Sequence, residues 1–322
     1  MNSARQDLCK GSQVTGCPTA TLIKLMEKMY LKVKDEEVLI GYIFVTPSLL
    51  FLGVFMIWPM FFSFFLSFTR WDFISPKIEI VGLQNFIRML SNPLFYKVLK
   101  NTFIFTLGTL IITMILALLL AIVLNQKLRV KSFYRGLIFS PYITPMVVIS
   151  IVWMWIYNPE YGLANYFLNI IGLPKLMWLS DTKWALPAII ILSIWQSMGY
   201  YMILYLAGLQ SIPDSLYEAA EIDGAGGLNK FIKITFPLLS PTTFFIVIIA
   251  FLQSFQVFDQ ISVMTGGGPS NSTNVMVYYL YQNAFMFFKV GYASAIAIVI
   301  FIILFLITFI QFKMSQKWVF YG

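Results

Sequence analysis

This 322-residue sequence predicts an all-α membrane protein with six transmembrane helices. Three observations predict it. The chain is 59% hydrophobic and only 11% charged, with a mean hydropathy of +0.80, whereas soluble domains carry about a quarter charged residues. Six charge-free apolar stretches follow one another at approximately 40–69, 101–126, 136–157, 184–209, 239–258 and 290–312. Each supplies the roughly 20 residues that a helix needs to cross about 30 Å of hydrocarbon. The ten-residue alternation of a membrane barrel is missing. The chain therefore divides into an N-terminal tail, 1–39, and a six-span domain, 40–322.

The tail mixes polar and charged residues, lacks helical periodicity and shows no cleavable leader. It reads as a dispensable, disordered extension. Its Cys9 and Cys17 are too few for a disulfide framework and read as reduced thiols. The first span is long enough to tilt or to break at Pro47 or Pro59.

Lys and Arg counts set the orientation. With the N-terminus inside, the inner segments hold 14 of the 22 basic residues and the outer ones 8. The short loop "QKLRVKSFYR" at 126–135 carries the bias where it counts most. Both termini and the loop between spans four and five are then cytoplasmic. The net charge of +8 belongs to these scattered loops and is no nucleic-acid signal.

Composition excludes several chemistries. Histidine is absent, which removes the commonest general base and metal ligand. No span holds an Asp, Glu, Lys or Arg, so the relay of a proton-coupled carrier is missing; sodium coupling through carbonyls and hydroxyls stays open. The Gly-rich run "TGGGPSNST" lacks the Gly-Lys-Ser/Thr ending of a phosphate-binding loop and reads as a turn at the outer face. Any energy for uphill transport then comes from a partner.

Against this background the segment 211–238, "SIPDSLYEAAEIDGAGGLNKFIKITFPL", concentrates four carboxylates: Asp214, Glu218, Glu221 and Asp223. It reads as a short helix with Ser211 as N-cap and Pro213 and Asp214 in the first turn, ended by Gly224, Gly226 and Gly227. Small Ala219 and Ala220 would admit a partner surface closely. An ordinary interfacial helix kept wet by its acids is an equal reading of the same residues.

The residues of this stretch resemble the "EAA" loop of the membrane subunits of bacterial ATP-binding-cassette importers: Glu-Ala-Ala, three residues, Gly, nine residues, Ile, one residue, Leu, Pro. Glu218, Ala219, Ala220, Gly224, Ile234 and Pro237 stand at those spacings, and Phe236 replaces Leu. Segments such as "SPYITPMVVISIVWMWIYNPEYGLAN" and "QVFDQISVMTGGGP" extend the likeness across 40–322, toward the sugar permeases related to those for maltose, multiple sugars and glycerol 3-phosphate. The resemblance implies the type I importer permease fold, with 211–238 as a coupling helix at the cytoplasmic membrane. It implies as partners a second homologous permease, two ATPase subunits, an extracellular solute-binding protein and membrane lipid. The chain itself would be no enzyme and would hold no cofactor or metal, ATP and Mg being bound by the ATPase. Glu218, Ala219, Ala220, Asp223, Gly224, Ile234 and Pro237 would form the coupling surface.

Sugars are recognised by polar groups on their hydroxyls and aromatic rings on their C–H faces. Span four offers Trp195, Gln196, Ser197, Tyr200 and Tyr201; span five offers Gln253, Ser254 and Gln256, then Asp259 and Gln260. By resemblance to the maltose permease, Ser197, Tyr200, Ala250, Gln253, Ser254 and Val257 stand at sugar-site positions, and Gln196 shares a helix face with Tyr200. Alternatively, Gln and Ser here only bridge helices. With no Lys or Arg in the spans, a neutral oligosaccharide is the expected solute; glycerol 3-phosphate or another polyol derivative, and an ion-coupled carrier, are the alternatives.

Overall fold

A computed structural model describes residues 38, 40–126 and 130–320. Nearly all of the expected tail, and Lys127 and Arg129 of the basic loop, lie outside the described residues. The described residues divide into two compact units, one up to Ser63 and one from Phe64. The first contributes most of α1 (Ile40–Leu66), which neither Pro47 nor Pro59 breaks. A π-helical turn at Gly53–Ile57 ends two residues before Pro59. The wider turn absorbs the clash and the lost hydrogen bond that proline imposes on the preceding turn.

In the second unit, α1 leads into a two-residue antiparallel pairing of β1 (Thr69–Arg70) with β2 (Glu79–Ile80), small exceptions to an otherwise helical chain. After α2 (Gln84–Leu90) comes α3 (Pro93–Asn125). Asn92 caps α3, its side chain accepting from Leu94 N with Pro93 in the first turn, the arrangement that suits both residues.

The expected third span, 136–157, is not a single helix. It is α4 (Lys131–Ile143) and α5 (Met146–Ile156), bent by 97°. Pro145 causes the break, because the residue before proline is driven out of the α region; Thr144 is extended, with φ −74° and ψ 134°. After α6 (Leu163–Ile170), α7 (Ala185–Gln210) matches the fourth expected span to within a residue.

Helix α8 (Asp214–Ile222) and α9 (Gly227–Lys230) follow, then a π turn at Phe231–Thr235 just before Pro237. The fifth span is α10 (Ser240–Phe255), interrupted at 256–258 and continued by α11 (Asp259–Met264). Helix α12 (Met276–Tyr281) precedes the last span, α13 (Val290–Trp318).

One of the core clusters lies between α3 and α7 and holds Ala117, Ala121, Met202, Tyr205 and Leu206. A Cβ on Gly199 would collide with the backbone of Ile138 and Phe139, so this glycine lets α4 lie directly on α7. The Gly-rich turn after α11 is held by α3: Lys97 Nζ donates to Ser270 O at 2.6 Å, and Asn101 Nδ2 to Asn271 O and Asn274 O. Thr102 Oγ1 accepts from Met276 N at 2.9 Å. Thr273 and Asn274 are completely buried, so the turn is packed into the helical body.

Candidate functional site

A cavity of about 400 Å³ opens between α3, the α4–α5 bend, α7 and α10. Thr109, the middle residue of α3, and Gln196 and Ser197, midway along α7, place it near half-height of these spans. Of the seven residues expected on the solute path, Gln196, Ser197, Ala250, Gln253, Ser254 and Val257 line it. Tyr200 does not. Its ring stacks on Tyr142 at 4.5 Å with planes 8° apart, and Tyr201, one residue on, reaches the cavity instead. Tyr201 is 3% exposed and its hydroxyl donates to Gln253 Oε1 at 2.9 Å.

Trp195 turns away from the cavity to pack on Trp153, 5.5 Å between ring centres. Gln256 and Asp259 line the upper rim formed by the interruption after α10. Gln260 also lines it and donates through Nε2 to Ser193 Oγ at 3.1 Å, tying α11 to α7. Ser197 Oγ donates to Ser193 O at 2.7 Å, leaving its oxygen as an acceptor. The other polar groups are amides and hydroxyls, set among aromatic rings and aliphatic Leu110, Met146, Ala250 and Val257, and Asp259 is the one charged lining residue among those described. Such a surface exchanges hydrogen bonds with a neutral polar solute and offers no counter-charge to an anion.

Tyr201 stands among the groups that span four offers, though not at a position the resemblance marks, while the lining hydroxyls of Thr109 and Thr113 carry no signal of that kind. The threonines come from α3, in a span whose polar residues carry no motif; their recurrence at 102, 106, 109 and 113, a helical period, was the available signal.

The second feature is 211–238, which joins α7 to α10 and so connects two walls of the cavity. Ser211 is not the N-cap of α8. It ends α7, its hydroxyl donating to Gly208 O at 2.8 Å, while Pro213 occupies the N-cap position. Helix α8 closes through paired bonds, Ala225 N to Ala220 O at 2.8 Å and Gly224 N to Glu221 O at 3.0 Å, around Gly224 at φ +72°. This is a left-handed stop that glycine makes without strain.

Two ties brace the segment. Tyr217 Oη and Thr235 Oγ1 lie 2.9 Å apart, and Lys230 Nζ donates to Glu221 Oε1 at 2.6 Å. That bond and charge hold the Glu221 carboxyl below its ordinary range. Glu218, Ala219, Asp223 and Gly224 are exposed and Ala220 is half-buried. Beside them stand apolar Ile222, 87% exposed, and Leu228, 73% exposed. Ile234 instead packs with Tyr217 against the core below, and Pro237 starts the final turn, its carbonyl accepting from Ser240 Oγ. The segment is thus a braced platform with an apolar and acidic outer face.

Residues 110–321 match the family described as "Binding-protein-dependent transport system inner membrane component". The chain is 35% identical over 287 residues to the sn-glycerol-3-phosphate transport system permease protein UgpA of Agrobacterium fabrum, covering 88% of this chain and 97% of that one. It is 34% identical over 285 residues to the trehalose/maltose transport system permease protein MalF of Thermococcus litoralis, covering 88% and 96%. Its fold is similar to a chain of a bacterial ABC transporter involved in the import of the acidic polysaccharide alginate, with a TM-score of 0.77 at 24% identity, over 90% of this chain and 99% of that one. The chain belongs to the family of inner-membrane components of binding-protein-dependent transport systems.

Proposed function

We propose that this chain is one of two homologous permease subunits of an ATP-driven importer, and that it carries a carbohydrate, in first place a neutral oligosaccharide, across the cytoplasmic membrane by alternating access. The observation that carries the reading is the mid-height cavity. Two of its walls, α7 and α10, are the helices that enter and leave the braced 211–238 segment. Movement of that segment by a partner would therefore move both walls together.

In this reading both termini and 211–238 face the cytoplasm, where the basic loop 126–135 also lies. Two ATPase subunits bind ATP and Mg²⁺, and the exposed face with Glu218, Asp223 and Ile222 enters a groove on one of them. Ala219 and Ala220 allow close approach, and Gly224 turns the chain out of the groove. The chain holds no cofactor of its own and hydrolyses nothing. A solute-binding protein delivers the cargo at the opposite face.

Gln196, Ser197, Gln253 and Ser254 would hydrogen-bond the sugar hydroxyls, with Tyr201 orienting Gln253 and Ala250 and Val257 shaping the wall. The trehalose/maltose relative supports a neutral sugar, as does a lining that holds no Lys or Arg among the described residues. The glycerol-3-phosphate relative supports a second reading, in which the partner permease supplies the positive charge.

Uptake of radiolabelled maltose, trehalose and sn-glycerol 3-phosphate by proteoliposomes holding the complete importer distinguishes these readings. Saturable, ATP-dependent uptake of a disaccharide is expected. Uptake driven by an ion gradient without ATP would overturn the importer reading in favour of a secondary carrier.

A further inference from the structure

Helix α3 carries four threonines on one face, Thr102, Thr106, Thr109 and Thr113, all buried. Only the first is explained by the fold: Thr102 Oγ1 donates to Val98 O and accepts from Met276 N, fixing the turn after α11. The hydroxyls of Thr106, Thr109 and Thr113 have no hydrogen-bond partner. A threonine inside a helix ordinarily turns its hydroxyl back on a carbonyl of the preceding turn. A buried hydroxyl left unpaired is costly, and its presence calls for a reason.

For Thr109 and Thr113 the cavity supplies one. Both line it together with Gln253 and Ser197; their side chains are 5% and 1% exposed and their Oγ1 atoms are shielded in this conformation. Tyr201 engages Gln253 by its oxygen, so the amide N–H groups are left to donate, while each threonine hydroxyl can both donate and accept. A sugar hydroxyl also does both. The two sides together match a polyhydroxylated solute better than α7 and α10 alone. Thr106 lies outside the lining and gains no such partner.

We infer that Thr109 and Thr113 form a third polar wall of the solute path, exchanging hydrogen bonds with the hydroxyls of the transported solute and so acting as specificity-determining residues. The inference rests on the proposed reading of the cavity as that path.

The test uses the complete importer in proteoliposomes. With Cys9 and Cys17 changed to serine, Thr109→Cys and Thr113→Cys are expected to react with the water-soluble thiol reagent sulfonatoethyl methanethiosulfonate, and Thr106→Cys to stay inert. Equal inertness at all three positions would overturn the inference.

Maximal uptake of maltose, trehalose or sn-glycerol 3-phosphate, measured at saturating binding protein, is expected to fall about 3- to 10-fold in Thr109→Val and Thr113→Val, the worth of one neutral hydrogen bond. ATP hydrolysis stimulated by the binding protein should persist, Thr109→Ser should recover, and Thr106→Val should match wild type. A purely packing role would instead depress uptake and hydrolysis in parallel. Unchanged uptake in both valine variants overturns the inference alone. Wild-type uptake of none of the three probes, with the two cysteines still labelled, overturns the substrate class and leaves the polar wall standing.

Discussion

Tyr201 on α7 donates to Gln253 on α10 at 2.9 Å, and this bond spans the two helices joined by the 211–238 segment. Between transmembrane helices such a bond is worth about 0.6 kcal/mol, too little to lock the helices yet enough to set the rotamer of the amide. Tyr201→Phe should therefore lower thermal stability only slightly while reducing uptake, because Gln253 loses its orientation. Gln253→Ala, measured alongside, should lose more uptake than Tyr201→Phe.

Gly224 has nothing within 4 Å of the place where a Cβ would stand, and its φ is +72°. Aspartate and asparagine are among the residues that visit this left-handed region most readily. Gly224→Asp should thus leave α8 and membrane insertion intact, yet abolish transport by placing a charged side chain on the outer face of the segment. Gly224→Asn, uncharged and equally tolerant of the backbone, should be milder. Pull-down with the ATPase reads out both variants.

Glu221 is titrated differently in the folded segment. Its hydrogen bond and charge interaction with Lys230 lower its pKa from 4.5. A carboxylate depressed on folding contributes stability that is fully present above 4.5 and is lost as the pH falls through the folded value. Protection factors for amide exchange across 221–230 should therefore fall under acid conditions below that range and stay level between pH 6 and 8. In Glu221→Gln the acid dependence should vanish.

Asn101 holds two carbonyls of the turn after α11. Asn101→Ala removes both bonds, each worth about 1 kcal/mol net. Limited proteolysis at 265–275 should become faster, with the cavity lining unaffected.

Much of this architecture was written in the apolar runs. Helix α7 begins and ends within a residue of its expected span, because a charge-free stretch bounded by polar loops leaves the helix little choice. The bend at Thr144–Pro145 was hidden by the same hydropathy that revealed the span. Apolarity carries no direction, and the signal lay in Pro145 alone.

Tyr200 and Tyr201 are equally polar and aromatic, and successive residues on a helix point about 100° apart. Only the packing against Tyr142 and Gln253 decides which one reaches the cavity. Ile234 stood in the motif with the exposed Glu218, yet it packs inward. A motif marks residues kept together and does not separate those that hold the segment from those that show it to a partner. The lining threonines of α3, Thr109 and Thr113, required knowledge of which helix faces which.

The most direct measurement is ATP hydrolysis by the assembled complex, this chain with its neighbouring permease and ATPase in nanodiscs, with the solute-binding protein added empty or loaded with maltose, trehalose or sn-glycerol 3-phosphate. The account expects co-purification of the ATPase through the 211–238 segment and stimulation by one loaded form of the binding protein, lost in Gly224→Asp. Failure of any ATPase to co-purify with the wild-type chain would contradict it and leave 211–238 as an interfacial helix.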